Sequence, residues 1–157
     1  MDLGRTWPGD GRRLLGPSKT WSGFFGGALL AMPVGLLEAQ LILWAPPNLA
    51  LVPRWAPSLA AAVPVVALVA FGAMAGDALG SFVKRRLGVA SGARTLLLDQ
   101  LPFVLVPIGL GLAAAPGLFA GTFGSWEGVL WLLVLTLGLH WAFNQVGFRA
   151  GLKKVPW

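Results

Sequence analysis

The chain of 157 residues is 56% hydrophobic and only 11% charged, with a mean hydropathy of +0.74 and a net charge of +6. Soluble domains carry about 25% charged residues, so this composition indicates an integral membrane protein. The sequence contains no cysteine, which excludes disulfides, thiolate metal sites and cysteine nucleophiles, and its single histidine, His140, cannot build a zinc site alone.

Four apolar segments predict transmembrane helices, in chain order at residues 21–43, 57–79, 96–115 and 126–148. Each has the roughly 20 apolar residues that a hydrocarbon core about 30 Å thick requires. Short loops join them, which favours an all-α, multi-pass membrane helical bundle forming a single domain over residues 1–157. A long polar and basic stretch precedes the first segment and no small-residue cleavage site follows it, unlike a cleavable signal peptide.

The basic residues are distributed unevenly between the two sides of this predicted bundle. Eleven of the twelve lie on one side, and Arg54 alone lies on the other. The positive-inside rule makes the basic side cytoplasmic. Orientation by itself can explain the bases, so they indicate either topology or an anionic partner. Topology does not explain acids, however, and Asp10, Asp77 and Asp99 lie on the same basic side.

The stretch "DGRRLLGPSKTWSGFFGG" leads into the first predicted helix. Lys19 and Thr20 stand at the helix start, where free N–H groups and the helix dipole favour a phosphate. The GxxxxGK[ST] spacing of a Walker loop is absent. Ser18 or Thr20 is equally typical of a helix N-cap, so a phosphate cradle and a simple cap both stay open.

The second segment ends in an unusual group of polar residues. If its helix continues through residue 85, four of them share one face at i, i+4, i+7 and i+8: Asp77, Ser81, Lys84 and Arg85. Asp99 then opens the third segment. Two carboxylates among bases suit magnesium, which proteins usually hold by one or two carboxylates plus substrate phosphates. The alternative is that both acids simply neutralise the neighbouring bases.

Glycines recur at intervals of four in two of the predicted helices. The second carries Gly72, Gly76 and Gly80, and the first carries Gly23 and Gly27. This spacing favours close packing of transmembrane helices, although a bare backbone would also admit a ligand beside Asp77. Such faces pack within or between chains, so they predict no particular oligomeric state.

The last predicted helix carries a narrow polar stripe inside its apolar span, formed by Thr136, His140 and Asn144. Polar groups are costly in the hydrocarbon region and usually face the bundle interior. The stripe therefore indicates either an interhelical hydrogen bond or a ligand contact from Asn144.

Two stretches together resemble the membrane CDP-diacylglycerol synthases. "GPSKTWSGFFGG" (16–27) is similar to the family motif Ser-Pro-Lys-Lys-Thr-Trp-Glu-Gly-Phe, and "GDALGSFVKRRLGVASGARTLLLDQLPF" (76–103) is similar to the signature that runs from Gly-Asp to a terminal Asp. The His-Gly-Gly of the bacterial signature is missing, and its final Asp-Arg reads Asp99-Gln100. With "DGRR" at 10–13 and the ending "GLKKVPW", the short chain resembles the archaeal branch, the CDP-archaeol synthases, which usually have a fifth membrane helix upstream.

The resemblance implies a cytidylyltransferase of phospholipid biosynthesis with its active site on the cytoplasmic face. The phosphate of a geranylgeranyl ether glycerol lipid attacks the α-phosphorus of CTP, giving a CDP-activated lipid and pyrophosphate. CTP, the lipid phosphate and the bilayer are the implied partners, with no nucleic-acid polymer. The implied cofactor is Mg²⁺, held by Asp77 and Asp99, and Lys19 and Lys84 complete the catalytic set. The implied substrate-binding residues are Asp10, Arg12, Arg13, Ser18, Lys19, Thr20, Ser81, Lys84, Arg85, Arg86, Gly92, Gln100 and Asn144.

Two other functions fit parts of the sequence. CTP-dependent polyprenol kinases are similar around the Asp-containing loop, but there a hydroxyl attacks the γ-phosphorus and CDP leaves; the "KTWSG" segment favours attack at the α-phosphorus. A small membrane transporter or assembly protein would use Glu38 and His140 as intramembrane proton groups. That interpretation leaves the clustering of acids and bases in two loops unexplained.

Overall fold

The computed structural model of the chain describes residues 1–46, 54–90, 93, 95–123 and 125–151. Its helices are α1 (Trp21–Trp44), α2 (Leu59–Arg86), α3 (Leu96–Ala114), α4 (Pro116–Phe123) and α5 (Trp126–Arg149). Within these ranges no β-strand forms, and one isolated antiparallel bridge joins Thr6 to Arg13. The all-α prediction is confirmed.

All four predicted apolar segments are helical. By length and composition α1, α2 and α5 are able to cross a membrane, and α3 is a shorter apolar helix. The second helix ends later than its predicted span, at Arg86 instead of residue 79. Its 28 residues extend about 42 Å at 1.5 Å per residue, which exceeds a hydrocarbon core about 30 Å thick. The C-terminal turns of α2 therefore carry Lys84, Arg85 and Arg86 beyond the apolar layer.

The connection between the third and fourth predicted segments is not simply a loop, because it contains the short helix α4. Pro116 starts this helix, and proline suits a first helical turn where its missing N–H has no partner to lose. The ring of Phe119 packs on Gly111 of α3, where a Cβ would lie 2.2 Å from the ring. This contact folds α4 back onto α3.

The glycine stripe of α2 packs directly on the backbone of α3. A Cβ on Gly76 would lie 2.1 Å from the carbonyl oxygen of Pro102, and one on Gly80 would lie 2.5 Å from that of Leu98. Pro102 has no N–H to bond the Leu98 carbonyl four residues earlier, so this oxygen is free to face Gly80. The stripe is thus a packing surface, as the glycine spacing predicts, and the pairing of these positions makes the two helices antiparallel.

The packing of α1 against α2 uses a different pair of glycines from the one predicted. A Cβ on Gly27 would lie 2.7 Å from Met74 Sδ, and one on Gly35 would lie 2.8 Å from Val66 Cγ1. Gly23 lies instead beside the hydroxyl of Thr20, because it belongs to the first helical turn. Gly27 is confirmed as a packing residue, and the assignment of Gly23 to the same surface is wrong.

Candidate active site

The segment before α1 forms an N-terminal hairpin (residues 5–14). The Trp7 N–H donates to the Arg12 carbonyl at 2.7 Å, and the Leu14 N–H donates to the Arg5 carbonyl at 2.9 Å. Gly11 turns the chain with a φ of +66°, a conformation that glycine adopts at little cost. Asp10 supports the turn by accepting the Arg12 N–H at 3.0 Å.

Arg86, the last residue of α2, holds this hairpin. Its guanidinium donates to the Asp10 carboxylate at 3.0 Å and to the Arg12 and Arg13 carbonyls at 3.2 and 2.6 Å. Arg12 in turn donates to the Arg86 carbonyl at 3.0 Å, a free acceptor at the helix end. These contacts fix the hairpin on α2. The substrate-binding roles of Asp10, Arg12, Arg13 and Arg86 stay predictions.

Aromatic rings complete the attachment of Arg86. Its guanidinium lies 5.0 Å from the centroid of Phe82 and 5.9 Å from that of Trp7, and the two rings meet edge to face at 5.6 Å. Cation–π contacts of this kind are worth about 0.5–1 kcal/mol at exposed sites and more when desolvated. Trp7 is not among the residues predicted from the sequence, although a tryptophan three residues before Asp10 is a visible signal.

Asp2 is a buried carboxylate that is not among the predicted site residues. Its oxygens accept from Arg13 at 2.7 Å, from the Leu15 N–H at 2.9 Å and from the Gly4 N–H at 3.1 Å. The hydrogen bond from Arg13 and those from the two amides outweigh burial and hold the pKa of Asp2 well below its usual range. No local pattern distinguishes this acid, because its charged partner, Arg13, lies eleven residues away in the sequence.

Lys19 and Asp77 bring the start of α1 to the second helix. Thr20 caps α1 by accepting the Gly23 N–H at 3.0 Å, so the N-cap interpretation of Thr20 is confirmed. The preceding residue, Lys19, donates from Nζ to Asp77 Oδ2 at 2.5 Å, across 58 residues of sequence.

Lys84 and Asp99 join the second helix to the third. Lys84 Nζ donates to Asp99 Oδ1. Thr95, the residue before α3, donates its backbone N–H to Asp99 Oδ2 at 3.1 Å and its hydroxyl to Oδ1 at 3.2 Å. Thr95 is not among the predicted site residues, although a threonine before an apolar run with an acid four residues later resembles a capping box.

Two ion pairs thus join the segment before α1 to α2 and α2 to α3. Their four side chains alternate in sign along the chain and are named the alternating charge row: Lys19, Asp77, Lys84 and Asp99. Each acid therefore has a lysine counter-ion, as the neutralisation alternative expects, and the metal-binding role of Asp77 and Asp99 stays a prediction. The Asp77 and Asp99 side chains nevertheless remain 42% and 28% exposed, so a ligand can reach them. In the described part of the chain, no group of three or more His, Cys, Asp or Glu residues is arranged to hold a metal.

Three further predicted residues are buried polar groups. Ser81 of α2, Gln100 of α3 and Asn144 of α5 are 6–7% exposed. The Gln100 Oε1 atom has no hydrogen-bond partner within the described ranges. Asn144 is buried, as both interpretations of its polar stripe require, so its inward orientation is confirmed. Ligand contact by Ser81, Gln100 or Asn144 stays a prediction.

Arg85 and Ser18 are the remaining predicted residues that the structure describes. Arg85 donates to the Ala90 carbonyl at 3.1 Å and Ser18 is exposed. Their substrate-binding roles stay predictions. Gly92 and the side chain of His140 lie outside the part of the chain that the structure describes.

Known proteins resemble this chain along its whole length. A family model described as CarS-like, CDP-archaeol synthase, matches residues 1–157. CDP-archaeol synthases of Picrophilus torridus, Thermococcus kodakarensis and Methanosphaerula palustris are 36%, 37% and 40% identical to it, covering all of this chain and 83%, 81% and 89% of their own lengths.

The solved structures include a similar fold. An intramembrane enzyme for archaeal membrane lipid biosynthesis matches with a TM-score of 0.68 at 32% sequence identity, over 91% of this chain and 77% of that one. Sequence and architecture therefore agree with the two motifs at residues 16–27 and 76–103. The chain belongs to the CDP-archaeol synthase family.

Proposed function

We propose that the protein transfers CMP from CTP to the phosphate of a geranylgeranyl ether glycerol phosphate. An oxygen of the lipid phosphate forms a bond to the α-phosphorus of CTP, and the bond from that phosphorus to the bridging oxygen of the β-phosphate breaks. The products are the CDP-activated lipid and pyrophosphate. The alternating charge row is the observation that supports this function, together with membership of the family.

The charge row suits a reaction between two anions. The attacking phosphate oxygen is already negative, so the reaction requires no serine, cysteine or histidine nucleophile. Phosphoryl-type transfers depend mainly on positioning and on charge stabilisation. Lys19 and Lys84 bring two ammonium groups to one edge of the membrane, where they offset the repulsion between lipid phosphate and triphosphate.

The donor set of the charge row fits Mg²⁺. Asp77 and Asp99 offer one carboxylate each from α2 and α3. These two helices touch backbone to backbone close to both acids, where Gly76 meets Pro102. Magnesium prefers this type of oxygen ligand and usually completes its shell with substrate phosphates and water. When bound, Mg²⁺ supplies charge neutralisation at the phosphate oxygens.

The lipid substrate approaches from the bilayer. An apolar cleft of about 600 Å³ lies between α1, α2 and α3 and is lined by Phe24, Phe71, Ala75 and Leu110 among others. A prenyl chain fits such a lining without leaving a polar group unsatisfied. The charge row then faces the cytoplasm, where CTP is available, in agreement with the side on which the bases gather.

A product assay on the full chain in detergent tests the proposal. The substrates are CTP, Mg²⁺ and geranylgeranyl ether glycerol phosphate, and the variants are Asp77→Asn and Asp99→Asn. We expect lipid-dependent pyrophosphate release by the unmodified chain and at least a hundredfold loss in both variants. Glu38→Gln is the matched control, because it also removes one acid, from an exposed position on α1, and we expect its activity to be unchanged.

Each other outcome contradicts a specific part of the proposal. Release of CDP with a polyprenol substrate would show a kinase instead of a cytidylyltransferase. No turnover of CTP with either the lipid phosphate or a polyprenol would favour the transporter or assembly-protein interpretation. Pyrophosphate release that survives both Asp→Asn changes would remove the two carboxylates from the site.

A further inference from the structure

The two carboxylates proposed to hold the metal are each hydrogen-bonded by a lysine from another element. Lys19 precedes α1 and reaches Asp77 of α2, and Lys84 of α2 reaches Asp99 of α3. The Lys84 side chain is only 14% exposed and that of Lys19 is 23% exposed. Each lysine Nζ thus occupies, or lies directly beside, the position that a cation bound to the same carboxylate would take.

We propose that Lys19 and Lys84 are exchangeable counter-ions, which neutralise Asp77 and Asp99 before nucleotide arrives and move to phosphate oxygens when it binds. Metal and CTP then bind as one unit, and the metal alone binds weakly. This inference rests on the proposed function of the two carboxylates as magnesium ligands.

The net charge of the two lysine–aspartate pairs decides which form of the metal can bind. Each lysine cancels the charge of its carboxylate, so a divalent cation added at either carboxylate meets an ammonium group at close range and is repelled by it. A metal nucleotide brings net negative charge, which the same two ammonium groups attract. The lysines therefore oppose the bare metal and favour its nucleotide complex.

The lysine side chain is suited to such an exchange. It is a compact charge with three donors on a flexible stem of four carbons, so Nζ can leave a carboxylate for a nearby phosphate without any backbone movement. Arginine, with its planar and directional fork, is used here for the fixed contacts, as in the attachment of Arg86 to the hairpin. Asp99 also keeps two hydrogen bonds from Thr95, so its carboxylate stays in place when Lys84 departs.

Binding of Mn²⁺, as a paramagnetic probe, tests this inference without measuring turnover. The free ion is titrated by electron paramagnetic resonance into the full chain in detergent, with and without the unreactive analogue α,β-methylene CTP. We expect Lys19→Met and Lys84→Met to bind Mn²⁺ alone about tenfold more tightly than the unmodified chain. We expect both to bind the Mn²⁺–analogue complex about tenfold more weakly.

Arg54→Met is the matched control, because it removes one positive charge that contacts the Ala45 carbonyl between α1 and α2. We expect it to change neither affinity. Each variant is checked for folding by size-exclusion chromatography. Lys19→Met and Lys84→Met test the inference independently, so the test still works if one of them fails to fold.

The outcomes separate this inference from the proposed function. If the lysine variants do not gain affinity for Mn²⁺ alone while Asp77→Asn and Asp99→Asn lose the Mn²⁺–analogue complex, the ion pairs are permanent and only the exchange is overturned. If Asp77→Asn and Asp99→Asn bind that complex normally, the magnesium assignment itself is wrong.

Discussion

The guanidinium of Arg86 donates a hydrogen bond of 3.0 Å to the Asp10 carboxylate, joining residues that are 76 positions apart in the chain. The same guanidinium holds two carbonyls of the N-terminal hairpin. A segment that precedes the first membrane helix is thereby fixed to the C-terminal end of the second. This attachment places the hairpin at the end of α2 that also carries Lys84.

Replacing Arg86 by Met should release the hairpin. The variant loses three hydrogen bonds of a largely buried charge, and we expect it to lower the free energy of unfolding by about 2 kcal/mol. Amide hydrogen exchange should speed up in residues 5–14 and stay unchanged in α5. Asp10→Asn is the control, because it leaves both carbonyl acceptors in place, and its effect should be smaller. If the hairpin amides of Arg86→Met exchange as slowly as those of the unmodified chain, Arg86 does not hold the hairpin.

Gly76 and Gly80 should tolerate no side chain. An alanine Cβ at Gly76 would overlap the Pro102 carbonyl, so the packed helices must separate, and we expect Gly76→Ala to cost about 3 kcal/mol. Thermal unfolding in detergent measures the change. Gly109→Ala is the control, since nothing lies within 4 Å of a Cβ there and alanine favours a helix by up to about 1 kcal/mol. Similar stability of the two variants would contradict the close contact of α2 with α3.

Thr95 should act as a positioning residue for Asp99. Thr95→Val removes the hydroxyl that donates to Oδ1 but keeps the backbone N–H on Oδ2. We expect pyrophosphate release to fall about tenfold, as for other groups that orient a metal ligand. Thr95→Ser should restore most of the activity and the magnesium dependence.

Ser125→Ala provides the comparison for Thr95. It removes another helix-cap hydroxyl, which accepts the Gly128 N–H at the start of α5. We expect its activity and magnesium dependence to be unchanged. An equal loss in Thr95→Val and Ser125→Ala would mean that Thr95 acts through helix stability alone.

Asp2 should make stability depend on pH in the acidic range. Its pKa is lower in the folded chain than in the unfolded one, so its contribution is fully present above the ordinary aspartate value of about 4 and declines as pH falls below that value. We therefore expect Asp2→Asn to be less stable than the unmodified chain at pH 7. The difference in unfolding temperature should narrow between about pH 4 and pH 2, and a difference that is independent of pH would contradict the buried carboxylate.

Much of the fold could be predicted because hydropathy is a local property. Four apolar segments mark four helices whatever their partners are, and the glycine spacing in α2 predicts a close approach before the partner is known. The sequence did not show α4, because eight residues with helix-breaking neighbours carry no clear periodicity. The predicted apolar span ends at residue 79, seven residues before the helix does, because the last turns before Arg86 are charged.

The sequence by itself determined which residues gather at the basic side of the membrane, since charge and order along the chain fix the side of each loop. Only the tertiary structure decided how they pair. Lys84 reaches Asp99 because Gly76 and Gly80 let α3 approach α2 to backbone contact. Lys19 reaches Asp77 because Gly27 and Gly35 let α1 pack closely on Met74 and Val66 of α2. The partners of Arg86 and Asp2 were equally hidden, because a charged side chain chooses among several opposite charges by distance in the folded chain, which no spacing along the sequence specifies.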